Sequence, residues 1–375
     1  MTRIAILAVT VLFAFTGKSY AADEAKALPT ADERYKADIL LVVAHPDDEA
    51  GGTMYLAKAM DEGKRVAVVF CTRGGSGSNQ AGPEQAAALA DEREMEARRA
   101  LSVLGVTNVW FLSGKDTASQ DVLQSLASWG HGARLEEFVR LVRLTRAEVI
   151  LTMMPGTFLG EDHGDHQACG VLATEAFDLA GDATVFPEQL AAPKRRLEPY
   201  LENLRAWQPK KLYFFPDGED DAMFRGKGPE YSVTELSKTA KKTYWRLSIE
   251  SFEAHQTQAK SYLDELAKLD ETQLEKRAKS EGWTDPGRFV LGKSLVGGSV
   301  TGDVFEGIKP GAIPYARREI VPEPAHQDVS AELAGPWSFY EEFRREHGLT
   351  HLWHPDPPEI ALQGGTTLVI PLWLR

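Results

Sequence analysis

The segments Ile39–Val43, Val66–Cys71, Val109–Leu112 and Val149–Met153 carry apolar residues at nearly every position. A strand with one wet face alternates apolar and polar residues, so these segments must be covered on both faces. Helical patterns separate them, at about Thr53 to Glu62, Pro83 to Leu104 and around Leu135 to Leu144. Doubly buried strands alternating with helices predict a Rossmann-like, doubly wound α/β fold: a mostly parallel sheet with helices on both faces. The core runs from about 36 to 215, where Lys211–Phe215 supplies a further strand. Thr234–Leu269 has helical periodicity and carries the domain on to about 310 as a helical and extended appendage. Nine of the 20 prolines then fall between Pro310 and Pro371, so 311–375 is read as a Pro-rich extension. Its end, Thr366–Leu374, has a strand pattern with no identifiable partner.

The first 21 residues read as a signal peptide. Arg3 makes the start positive, and Ile4–Phe15 is a 12-residue apolar run, too short to span a bilayer. Ser19-Tyr20-Ala21 fits a cleavage site. The expectation is an exported protein, periplasmic or extracellular, with residues 22–35 a linker and no stable membrane span. The formal net charge of −13 leaves no basic face for nucleic acid. Cys71 and Cys169 allow one bridge or two reduced thiols, and spacing does not decide between them. Nothing in the sequence fixes an oligomeric state.

Chemistry concentrates in two short motifs. Ala44-His45-Pro46-Asp47-Asp48-Glu49 follows the first strand directly. Ligands of open α/β sheets bind outside the carboxyl ends of the strands, so this loop is where a site belongs. In extended backbone Asp47 and Asp48 would point to opposite sides, one toward a metal and the other into the pocket as a base. The second motif, Glu161-Asp162-His163-Gly164-Asp165-His166, follows the fourth strand. His163 and His166, three apart at a helix start, share one face. His166 completes a His–Asp–His set with His45 and Asp48, and three ligands with an open position are how a catalytic zinc is held. Asp165 would fix the tautomer of His163. Read separately, the carboxylates are also ordinary helix caps and the histidines ordinary surface residues.

The strand–AHPDDE opening, the downstream HGDH and the helix Glu92-Arg93-Glu94-Met95-Glu96-Ala97 through Leu104-Gly105-Val106 together resemble the LmbE-like (PIG-L) metal-dependent N-deacetylases. The resemblance covers roughly 36 to 215, and weakens through the helix bearing His255-Gln256-Thr257-Gln258. It implies metal ligation by His45, Asp48 and His166, with Asp47 as general base. It places His163, protonated, as the oxyanion stabiliser or acid, and Asp165 as the carboxylate that orients it. Arg93 would reach the pocket and pair with acetate or a substrate oxygen. Some members have a tyrosine two residues before the first histidine of the second motif, where this chain has Glu161.

The implied activity is removal of an N-acetyl group from an amino sugar or glycoconjugate, a small molecule or oligosaccharide, with zinc as cofactor. The same two-His, one-carboxylate set also suits ferrous iron. An amidase or esterase acting on a non-sugar acyl group, and a non-catalytic carbohydrate-binding protein, remain as alternatives. Gly74-Gly75-Ser76-Gly77 lacks the lysine of a phosphate loop and reads as a loop at the pocket edge. His255 and Gln258 either line the rim or pack. Ser113–Arg134 and Phe177–Trp207 read as rim loops that set substrate choice.

Overall fold

The apolar runs become strands at the expected places. A computed structural model describes residues 33–156, 163–190, 204–215, 224–309, 331–333 and 372–374. β1 (Ile39–Val43), β2 (Val66–Phe70), β4 (Val149–Met153) and β5 (Lys211–Phe215) are buried at every position, while β3 (Asn108–Phe111), at the sheet's edge, is partly exposed at its ends. The sheet order is β3-β2-β1-β4-β5-β8, with the first five strands parallel. β8 (Val290–Ser294) runs antiparallel along β5. This strand lies beyond the core read from the sequence, because its mixed pattern of glycine, lysine and serine gives no apolar run.

The helices α1 (Ala50–Asp61) and α2 (Ala87–Leu104) cross from β1 to β2 and from β2 to β3, moving one way along the sheet. α5 (Gly164–Leu179) crosses from β4 to β5, moving the other way. Right-handed crossovers therefore put α1 and α2 on one face and α5 on the other. α3 (Val122–Trp129) and α4 (His131–Thr145) pack on α5, and α6 (Tyr244–Phe252) packs on α1 and α2. α7 (Gln256–Leu266) joins that layer through α2, and α8 (Glu271–Ser280) follows with a capping box from Asp270 and Gln273. Two-residue strands β6 (Glu230–Tyr231) and β7 (Gly287–Arg288) pair with each other. The order reverses between β1 and β4, so the crevice at the carboxyl ends of these two strands is the switch point where ligands bind.

The expected helix over Thr234–Leu269 begins only at Tyr244, after a turn bridged by Leu236 and Thr243. Cys71 and Cys169 are free, buried thiols, and burial with a contact from Cys169 pushes the Cys71 thiol up. β9 (Ala331–Leu333) and β10 (Leu372–Leu374) form an antiparallel pair, which supplies a partner for the last strand read from the sequence. The signal peptide, most of the linker, Glu161 and the rest of the Pro-rich extension lie outside the described residues. No helix among the described residues is long and apolar enough to cross a membrane.

Candidate metal centre

Both motifs arrive at the switch point. His45 lies just past β1, and His163 caps the amino end of α5, extended at φ −83° and ψ 123°. His166 then sits in the first turn of α5. The loop after β1 is not extended. It folds into turns, with the amide of Asp48 on the His45 carbonyl and that of Ala50 on the Asp47 carbonyl. Asp47 is bent to φ +114°, a region L residues rarely adopt. The two carboxylates are separated by this bend and not by strand alternation.

Asp48 bridges two imidazoles. Its Oδ2 lies 3.2 Å from His45 Nδ1 and its Oδ1 lies 3.2 Å from His166 Nε2. The His45 amide also donates to Asp48 Oδ2 at 2.7 Å, which fixes that carboxylate against its own loop. His163 adds a third ring, 4.8 Å between centroids from both His45 and His166. Nitrogen atoms of these three histidines lie within 4.8 Å of one another. Two imidazole nitrogens facing the two oxygens of one carboxylate suit a divalent cation in coordination and charge. Burial alone would raise the Asp48 carboxyl, but His166 and His45 outweigh it and hold it well below the carboxylate range.

The other ring nitrogen of His45 is held from behind. Its Nε2 lies 3.1 Å from Asp116 Oδ1 and 3.3 Å from Asp165 Oδ2. Metal-ligating histidines are oriented by such carboxylates, which leaves Nδ1 for the cation. Burial works against a charged His45, yet Asp48, Asp116 and Asp165 raise its pKa well above the ordinary value. Asp165 accepts from the Thr117 amide at 2.9 Å and the Thr117 hydroxyl at 2.7 Å. Asp165 thus bonds Thr117, Ser125 and His45, and its charge also bears on His163. Burial, with the neighbouring charges of His45 and His166, pulls His163 below its ordinary value.

Burial and the adjacent Asp48 push Asp47 up to about 8. A carboxyl tuned near neutrality is suited to both taking and returning a proton. Arg93, expected to meet substrate, is nearly fully buried. It donates to the Gly74 carbonyl at 2.6 Å and the Ser78 carbonyl at 2.9 Å. Its approach requires a glycine at 77, since a Cβ there would sit 2.6 Å from Arg93 Nη1. Within the loop the Ser76 amide donates to Asp116, so Arg93 supports His45 at one remove.

The sequence reading assigned no role to Asp116 and Thr117, which lie in the stretch taken for a rim loop. Their signal was position, because they follow the carboxyl end of β3, the same side of the sheet as both motifs. Glu49 and His255 were seen without being linked. They form a fully buried pair, with Glu49 Oε1 2.7 Å from His255 Nε2.

Two imidazoles bridged by a carboxylate, beside a second carboxyl tuned near neutrality, form a site of the metal-assisted hydrolase class. The family model PIG-L, described as GlcNAc-PI de-N-acetylase, matches residues 40–177 of the chain. A 1D-myo-inositol 2-acetamido-2-deoxy-alpha-D-glucopyranoside deacetylase of Thermobifida fusca is 29% identical over 59% of this chain and 82% of its own length. Its namesake in Streptomyces scabiei is 35% identical over 40% of this chain, which spans only 51% of that relative. Among solved structures, the N,N'-diacetylchitobiose deacetylase of Pyrococcus horikoshii covers 68% of this chain and 84% of its own, at 18% identity and TM-score 0.48.

Proposed function

We propose that this protein is an exported zinc-dependent hydrolase that removes the N-acetyl group from a small amino sugar or a short oligosaccharide. The observation that carries the reading is the Asp48 carboxylate, 3.2 Å from an imidazole nitrogen on each side. His45, Asp48 and His166 would hold the metal, which supplies a Lewis acid without redox chemistry. Ferrous iron fits the same three ligands. Asp47 takes a proton from the attacking water and returns one to the departing amine, as its pKa near neutrality permits. His163 donates an N–H to the oxygen that gains charge. Asp116 and Asp165 keep His45 turned with Nδ1 toward Asp48. Export rests on Arg3, the apolar run Ile4–Phe15 and the Ser19-Tyr20-Ala21 site. The sugar class rests on the deacetylase relatives.

The test is metal content and acetate release by the purified protein, with N-acetylglucosamine, N,N'-diacetylchitobiose, acyl amino acids and acetyl esters as substrates. About one zinc per chain, with acetate released from the sugars and lost in Asp47→Ala, is the expected result. Zinc without sugar turnover, but with turnover of acyl amino acids or esters, would move the protein to the amidase or esterase reading. No retained metal after resupply would overturn the assignment of His45, Asp48 and His166. Full-length protein in a bacterial host should be recovered in the periplasm or medium with a new terminus near Ala22, and cytoplasmic retention would sink the export proposal.

A further inference from the structure

Asp47 is held in a backbone conformation that its own chemistry does not favour. A non-glycine residue at φ +114° persists only where its surroundings impose the conformation. The surroundings here are specific. The Asp47 amide donates to Glu49 Oε2 at 2.8 Å, which uses one oxygen of that carboxylate. The other oxygen, Oε1, lies 2.7 Å from His255 Nε2, and both side chains are about 1% exposed. One residue on the other side of Asp47, the Pro46 carbonyl accepts from the Gln258 side-chain amide. The start of α7 thus grips the Pro46–Glu49 turn at two points, 206 and 212 residues away in sequence.

The gripping segment is itself anchored. The Thr257 amide donates to Glu96 Oε1 at 2.8 Å and its hydroxyl to Glu96 Oε2, which ties α7 to α2. At Ala259 the backbone leaves helical geometry, at φ −126° and ψ 18°, so the first turn of α7 is set apart from the rest of the helix. Nothing in this arrangement touches the bridging oxygens of Asp48. His45 Nδ1 and His166 Nε2 meet Asp48 directly, while the clamp acts on the backbone to either side of Asp47.

We propose that His255, with Gln258, is a positioning residue: through Glu49 and the Pro46 carbonyl it locks Asp47 in its positive-φ conformation and so aims the proposed base. The role as an aimed base rests on the function proposed above. The clamp on the backbone does not, and each can be tested apart from the other.

The backbone arm needs neither metal nor turnover. Melting temperatures of the full chain in chelator are compared for Asp47→Gly and Asp47→Ala, in the wild-type background and with His255→Ala. Both Asp47 variants lack the carboxylate, and they differ in the cost of a Cβ at positive φ. The glycine variant should melt a few degrees above the alanine variant while His255 is present. The gap should close or reverse once His255 is removed and the turn relaxes. An unchanged gap overturns the proposal. If His255→Ala does not fold, Gln258→Ala, which leaves the buried pair intact, is read in the same way.

The catalytic arm uses the zinc-loaded chain and N-acetylglucosamine. His255→Ala should lower kcat at least tenfold, with KM and zinc content within twofold of wild type. His255→Gln, which keeps a donor for Glu49, should recover part of the loss. Zinc lost in step with kcat would mean that His255 supports the metal site and would overturn the proposal. A wild-type chain that releases no acetate would remove the deacetylase reading and leave the melting comparison to decide the clamp.

Discussion

Asp47 and Asp48 are neighbours in sequence with opposite electrostatics. Two imidazoles hold Asp48 ionised, whereas burial beside that negative charge makes Asp47 reluctant to ionise. Asp47→Asn should therefore keep its zinc and lose about 10²–10⁴-fold in kcat, measured by acetate release alongside metal analysis. Equal activity would dismiss Asp47 as base. Asp38, at the foot of β1, is a structural counterpart that depends on pH. It accepts from the Arg65 amide at 2.8 Å and from Nε and Nη2 at 3.1 Å. Burial would raise its pKa, but the Arg65 bonds and charge outweigh that and lower it. A folded-state pKa below the unfolded one gives stability that is complete above about pH 4 and lost as pH falls through the folded value. Asp38→Asn should cost about 1–3 kcal/mol at pH 7 and less than that at pH 3, read from urea midpoints at the two pH values. A penalty that is the same at both would show that the Asp38 charge does no stabilising.

Elements whose signal lies in local pattern could be read directly from the sequence, and those defined by distant partners could not. Each strand buried on both faces announced itself by composition, and each motif by lying just past a strand. By contrast α3 lies within a stretch read as loop, and β8 owes its place to pairing with β5 and not to an apolar pattern. The stretch Gly74–Gly77 reads from its sequence as a loop, but the reason for glycine at 74 and 77 appears only when Arg93 is seen against them. An added Cβ at Gly77 would meet both terminal nitrogens of Arg93, at 2.6 and 2.7 Å. That guanidinium cannot swing away freely, because the same nitrogens bond the Gly74 and Ser78 carbonyls. Gly77→Ala should cost about 1–3 kcal/mol and reduce acetate release through Ser76 and Asp116. Gly132→Ala, in α4 with nothing within 4 Å, should be neutral or stabilising by up to about 1 kcal/mol. Thermal melts of the two variants side by side would check the contrast, and equal effects would reject it.

At the scale of the molecule, the proposed metal joins parts of the chain that the sheet brings together and the sequence keeps apart. His45 and Asp48 follow β1, while His166 rides on α5 after β4, on the far side of the switch point. Asp48 lies between the two imidazoles, and the surrounding carboxylates Asp116 and Asp165 are charges that favour a positive centre. Binding to the folded chain alone must therefore stabilise it, by about 2.7 kcal/mol when free zinc is a hundred times its dissociation constant. For a domain of this size that corresponds to a rise in melting temperature of about 4–5 °C. Chelator should lower the melting temperature by that amount, and added zinc should restore it. Asp48→Asn removes the anionic bridge, so its melting temperature should respond to neither treatment. His131→Ala, a half-exposed partner of Glu175 on the outer helices, should leave the full zinc response in place. A wild-type melting temperature indifferent to both chelator and zinc would mean that the switch point holds no cation, and the hydrolytic reading of the site would fall with it.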